Sequence, residues 1–124
     1  MKLAFALPFA LLASCATAQP PPSREGPVGL GETAYVDGPT VTPLAVIEDS
    51  RCPMNARCVW AGRVVLRARI AGGSWVTERE LLLGEPIPIA DGALTLVSVT
   101  PETMAGQQID PRAYRFAFAF DGGL

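Results

Sequence analysis

The sequence predicts an all-β fold, a small antiparallel β-sandwich or barrel-like domain built from hairpins. Three observations predict it. Helical periodicity is nearly absent. Short β-like runs recur between Gly, Pro and Asp punctuation at roughly the 8–12-residue spacing of a sandwich or barrel. Two segments, 63–70 and 114–120, alternate with period two.

Residues 34–36 lead into Asp37-Gly38, a dipeptide suited to the left-handed backbone of a tight hairpin, and residues 40–47 return as the partner strand. Pro43 has no amide donor for the ladder, which puts it at an edge or a bulge. Residues 63–70 set Val64, Leu66, Ala68 and Ile70 on one face and Arg63, Val65, Arg67 and Arg69 on the other. Gly72-Gly73 reads as a two-residue loop into a strand over 75–83, setting Ile70 opposite Trp75, Ala68 opposite Thr77 and Arg67 opposite Glu78. Pro86 and Pro88 read as a stiff crossing loop and Asp91-Gly92 as a turn. Residues 93–99 (ALTLVSV) are apolar on both faces, which suits a central strand buried between layers. Residues 101–111 are polar and irregular. The last strand then sets Tyr114, Phe116, Phe118 and Phe120 together as core anchors, opposite Arg115, Ala117 and Ala119.

The domain spans 28–124, and what precedes it reads as an address. Met1-Lys2 and an apolar run over 3–13 form a secretory signal, too short for the roughly 20 residues of a spanning helix. The run ends in Leu12-Ala13-Ser14-Cys15, which resembles the bacterial lipobox, so 1–14 is expected to be removed and Cys15 to be lipidated; cleavage after Ala18 is the alternative. Three Cys is an odd number, and lipidating Cys15 leaves a pair. Two or three acyl chains, at about 0.8 kcal/mol per buried methylene, anchor stably. Resemblance to proteobacterial lipoproteins implies the outer membrane, because Ala16 stands where an inner-membrane retention Asp would. Residues 15–27 carry three consecutive prolines and read as a semi-rigid tether facing the periplasm.

Composition excludes several classes. Ten Lys+Arg against 12 Asp+Glu, with no basic run, leaves no electrostatic footprint for nucleic acid. The absence of His removes the commonest general base and zinc ligand. Gly29-Leu30-Gly31-Glu32-Thr33-Ala34 matches a dinucleotide fingerprint by letter, but a tether precedes it and a hairpin follows, so it is discarded. There is no nucleophile elbow, P-loop or calcium loop, and no cofactor or metal is expected.

The most distinctive stretch is residues 48–62, EDSRCP, a short spacer, then CVWAG. It resembles a set of small bacterial secreted proteins and lipoproteins with this motif and no settled activity, a resemblance that extends loosely to Val41-Thr42-Pro43-Leu44 and to the terminal YRFAFAF. The resemblance implies a compartment and a fold, not an activity. Physically, Cys52 and Cys58 are six apart with Pro53 and Asn55 bending the spacer, a separation that a disulfide can close. A structural disulfide is preferred over a redox pair, which lacks the C-x-x-C context, and over a metal site, which two thiolates do not fill. Glu48 and Asp49 point to opposite faces of a strand and cannot pair as carboxylates. Asp49 is expected in a side-chain turn, with Arg51 or Arg57 as its ion partner, and Trp60 is expected to pack over the disulfide. Against that stands a ligand-facing loop in which Asp49, Arg51, Arg57 and Trp60 bind a partner. If the loop is only a staple, Arg51→Ala and Arg57→Ala remove exposed charge and each changes stability by under about 1 kcal/mol.

The sequence therefore points to a lipid-anchored envelope β domain without catalysis, a binding or accessory module whose contacts are the membrane and an envelope protein. Two other functions stand beside it. One is a lipoprotein inhibitor of a hydrolase such as lysozyme, by analogy of architecture alone. The other is an enzyme using Asp49, Arg51 or Glu48, which requires a pocket converging on Asp49 with a raised pKa.

Overall fold

A computed structural model describes residues 25–122. The expected signal segment over 1–14, the expected lipidation site Cys15 and most of the segment read as a tether lie outside these residues. Seven strands form two antiparallel sheets: β1 (Ala34–Tyr35), β2 (Thr40–Asp49), β3 (Val64–Ala71) and β4 (Val76–Leu82) in the order β1-β2-β3-β4, and β5 (Ile87–Ile89), β6 (Gly92–Thr100) and β7 (Arg115–Gly122) in the order β5-β6-β7. The architecture is the all-β, sandwich-like one that the alternation predicts. Among the described residues the only helix is the 3-10 turn Pro111–Ala113, capped by the Asp110 side chain.

The core follows from period two. Val64, Leu66, Ala68 and Ile70 of β3 are fully buried, as are Val41 of β2 and Leu81 of β4, while Arg67 and Arg69 point to solvent. Across the sandwich stand Leu94, Leu96 and Val99 of β6 with Tyr114 and Phe116, whose rings stack with centroids 5.6 Å apart. Phe118 and Phe120 pack against this core and stay partly buried. The two sheets are stitched along both flanks. Val28 pairs with Phe116 through bonds of 3.0 and 2.8 Å, and Leu83 bridges to Leu96 where the chain leaves β4.

The first hairpin turns at Asp37-Gly38, with φ of 48° and 136° and a Val36 N–H to Pro39 O bond of 2.9 Å. Pro43 sits at a register shift on β2, the bulge its missing donor calls for, and its carbonyl accepts from Gly31. Three expectations need correction. The β3–β4 loop has four residues, not two, and Trp75 belongs to it. Gly72 donates to the Trp75 carbonyl at 2.9 Å, and a Cβ on Gly72 would stand 2.4 Å from the indole, so the ring folds back over the glycine and lengthens the turn. The partner of each β3 residue moves by two, which keeps every side chain on its expected face but sets Ile70 opposite Thr77, Arg69 opposite Glu78 and Arg67 opposite Glu80.

Pro88, expected in a loop, lies in the edge strand β5, where a missing amide donor costs little. β6 is central as expected, but it is covered on one face only. A register shift between Leu96 and Ser98 leaves Val97 as the extra residue, half exposed, and brings Val99 back to the core side.

The shifted register pairs both β3 arginines with both β4 acids, at 3.6 Å for Arg69–Glu78 and 3.9 Å for Arg67–Glu80. These pairs are about half exposed, so each contributes only about 0.2–1 kcal/mol. Arg69→Glu and Glu78→Arg should each destabilise by about that amount and the double exchange should recover most of it, read by urea denaturation. Additive losses in the double variant would show that the pair is not coupled.

Candidate functional site

The loop between β2 and β3 begins with two acids on opposite faces. Glu48 faces solvent and accepts from Arg63 Nε, while Asp49 turns inward. Ser50 closes the base. Its amide donates to the Arg63 carbonyl at 2.9 Å, and its hydroxyl oxygen accepts from the Arg63 amide at 3.0 Å. A Cβ on Gly62 would fall 1.8 Å from the Ser50 carbonyl oxygen, so only glycine lets the two ends of the loop meet here.

Arg51, rather than Arg57, is the partner of Asp49. Its Nε and Nη2 donate to the two carboxylate oxygens at 2.8 Å each, a bidentate pair whose side chains are only 16% and 10% exposed. The same guanidinium donates to the carbonyls of Val99 at 2.9 Å and Pro101 at 3.0 Å. Tyr114 Oη donates to Asp49 Oδ2 at 2.8 Å. The cluster thus ties the end of β2 to the end of β6 and to the residue before β7, joining the two sheets below the loop.

The electrostatics follow from the bonds. The Arg51 hydrogen bonds hold the Asp49 carboxyl below its ordinary 3.8 against the opposing effect of burial, and Tyr114 adds to them. Asp49 in turn raises Arg51. Burial first, then the bond to Asp49, pushes the Tyr114 hydroxyl up to about 12. Because Asp49 is depressed, its contribution to stability is present above the unfolded carboxyl value and is lost as the pH falls through the lower folded one. Tyr114 is raised, so its contribution is full below about 10 and is lost as the pH climbs toward about 12. Tyr114→Phe should flatten the decline of unfolding free energy between about pH 10 and 12, read by denaturant titration. An unchanged slope would contradict this assignment.

Cys52 and Cys58 form a disulfide, with Cα atoms 5.8 Å apart. The first half of the disulfide loop is also stitched to the segment after β6. Met54 N–H donates to Thr103 O at 2.9 Å, Asn55 Oδ1 accepts from Ala105 N at 2.8 Å, and Thr103 Oγ1 donates to Arg51 O at 3.3 Å. The second half projects. Trp60 is 63% exposed and Val59 98%, and Arg57 is exposed and has no hydrogen-bond or ion-pair partner among the described residues. Trp60 therefore does not pack away as expected, and with Met54, 66% exposed, the loop displays three large apolar side chains on a locked base.

Beside the loop lies an open cleft of about 390 Å³ lined by Arg51, Cys52, Met54, Leu83, Val97 and Glu102. Asp49 is not in its walls, and a carboxylate held ionised by Arg51 and Tyr114 is suited to a strut, not to proton transfer. Of the candidate residues, Asp49 and Arg51 build the base while Arg57 and Trp60 stand on the free part. Sequence reasoning missed Val59 and Met54. It also missed Tyr114 as the third member of the base, and the inward position of its hydroxyl was the only available signal, one that a strand alternating toward the core contains. No protein family, no curated protein and no solved structure matches the chain.

Proposed function

We propose that the chain is a lipid-anchored envelope domain, without catalysis of its own, that binds a protein partner through the disulfide-pinned loop. The observation that carries this reading is the exposure of Val59 and Trp60 on a short loop whose base is held by a disulfide, by the Asp49–Arg51 pair and by Ser50. Aromatic side chains pre-ordered on a rigid base make strong interface anchors, because little entropy remains to be lost on binding. The position of the described N-terminus supports the same reading. Glu25 lies beside Tyr35, Asp37 and Phe118, toward the opposite end of the sandwich from the loop. An anchor at Cys15 would thus hold that end toward the membrane and leave the loop facing away.

A projecting loop on a stiff base is also a shape that enters an enzyme's cleft, which favours inhibition of a hydrolase such as lysozyme as the second reading. Lysozyme turnover with and without the protein separates the two. For the first reading, intact mass should show acyl chains on Cys15, and Cys15→Ser should release the protein from membranes. A mature form beginning unmodified at Gln19 would end the lipoprotein part. Capture of an envelope protein by the full chain should be lost in Val59→Ser/Trp60→Ser with the melting temperature nearly unchanged; capture that survives the double change would remove the loop from the interaction.

A further inference from the structure

At the end of the sandwich away from the disulfide loop, the turns after β1, β3 and β5 converge with the end of β7 around a second cleft of about 380 Å³. That volume lies within the range of small-ligand sites. Two rings, Trp75 and Phe120, and two carboxylates, Asp37 and Asp91, line it, with glycines between them. Neither carboxylate has a hydrogen-bond or ion-pair partner among the described residues, and both residues are exposed. The lining includes no basic residue, no side-chain amide and no hydroxyl. Arg69, the last arginine of β3, is engaged with Glu78 on the outer face.

Two turn residues with left-handed backbone shape the cleft. Among the described residues only Asp37, at φ 48°, and Ala90, at φ 52°, take the left-handed conformation without being glycine, and both line this cleft. Both stand in hairpin turns, Asp37 between β1 and β2 and Ala90 between β5 and β6, and these turns set the two carboxylates at the mouth of the cleft.

The chemistry of the walls selects a ligand class. Ionised carboxylates only accept hydrogen bonds, and the indole N–H of Trp75 is the one side-chain donor in the lining. An anion would meet two negative charges there, and a sugar, whose hydroxyls can donate to the carboxylates, would leave both charges unneutralised. A cation meets both attractions at once, since aromatic faces draw positive charge through their quadrupole and unpaired carboxylates neutralise it. We propose that this cleft binds an organic cation, an alkylammonium group held against Trp75 and Phe120 and neutralised by Asp37 and Asp91. The site is separate from the disulfide loop and does not depend on the function proposed for it.

The test uses the full chain carrying Cys15→Ser, with choline as the probe and its uncharged isostere 3,3-dimethylbutan-1-ol as the control, followed by the two tryptophan indole N–H signals in NMR. Choline should shift the Trp75 signal saturably and leave that of Trp60 in place, and the isostere should bind about tenfold more weakly or worse. Asp37→Asn/Asp91→Asn should weaken choline binding by about tenfold or more without altering the rest of the amide spectrum, because neither side chain holds a bond among the described residues. Each single change should give a smaller loss, which keeps the test open if the double variant misfolds. A stationary Trp75 signal, equal binding of the isostere, or full binding by the Asn variants would overturn the proposal. Phosphatidylcholine vesicles identify the source of the cation. Aspartate-dependent co-sedimentation assigns it to a lipid headgroup, and choline binding without vesicle binding assigns it to a soluble amine.

Discussion

Arg51→Ala should destabilise the protein by about 3 kcal/mol, far more than the change of under about 1 kcal/mol that follows if Arg51 is read as an exposed loop charge. The truncation leaves the Asp49 carboxylate with only the Tyr114 hydroxyl and a long, 3.5 Å contact from the residue-51 amide for partners, in surroundings where its side chain is 10% exposed. It also strips the carbonyls of Val99 and Pro101 of their donor. A buried charge left without its partner and a part-buried carbonyl left without its donor are both costly. Arg51→Lys should recover little, because a single ammonium cannot bond both carboxylate oxygens and two carbonyls from one plane. Arg57→Ala, which removes an exposed side chain with no partner among the described residues, should stay within about 0.5 kcal/mol. Urea midpoints of the three variants check this ordering, and equal effects at positions 51 and 57 would contradict the role of the strut.

Replacing Cys52 and Cys58 together with Ser should cost about 2–3 kcal/mol, close to the roughly 2.4 kcal/mol that the chain-entropy argument assigns to closing a loop of about seven residues. The loss should be local. Residues 50–55 keep their hydrogen bonds to Arg63, Thr103 and Ala105, so hydrogen exchange should rise over residues 56–61 and stay low in β2 and β3. Protection lost throughout both sheets would show that the bridge holds up the sandwich as a whole and not only the free half of the loop.

Much of the sandwich was legible because its strands obey the simplest rule. Alternation named the buried face of 64–70, though Val65 on the other face is buried as well, and it named Tyr114 and Phe116 in the last strand while Phe118 and Phe120 stay partly buried; Asp37-Gly38 named a turn by its backbone need. The four-residue loop was not legible, because Gly72-Gly73 has the chemistry of a two-residue turn and the indole of Trp75 decides the outcome from outside the dipeptide. The exposure of Val97 was hidden for a similar reason, since an apolar run gives no sign of which residue a bulge pushes out. At the loop, the disulfide could be read from spacing and cysteine count. The Asp49–Tyr114 bond could not, as it joins residues 65 apart whose meeting depends on how two sheets stack. Trp60 ran against expectation because a large aromatic beside a disulfide in a small domain is more often used as core. Here the core is already filled by Phe116, Tyr114 and the aliphatic faces of β3 and β6, and Trp60 is left for other use.

The central claim is that the free half of the disulfide loop is an interaction surface. Its most direct measurement is site-specific photo-crosslinking in intact cells, with a photoreactive phenylalanine derivative in place of Trp60 and, in a second strain, in place of Val76. The two positions are matched in exposure, 63% and 66%, and Val76 opens β4 at the other end of the sandwich. A discrete protein adduct from position 60 that is absent from position 76 is the predicted result. No adduct at position 60, or the same adducts from both positions, would contradict the claim.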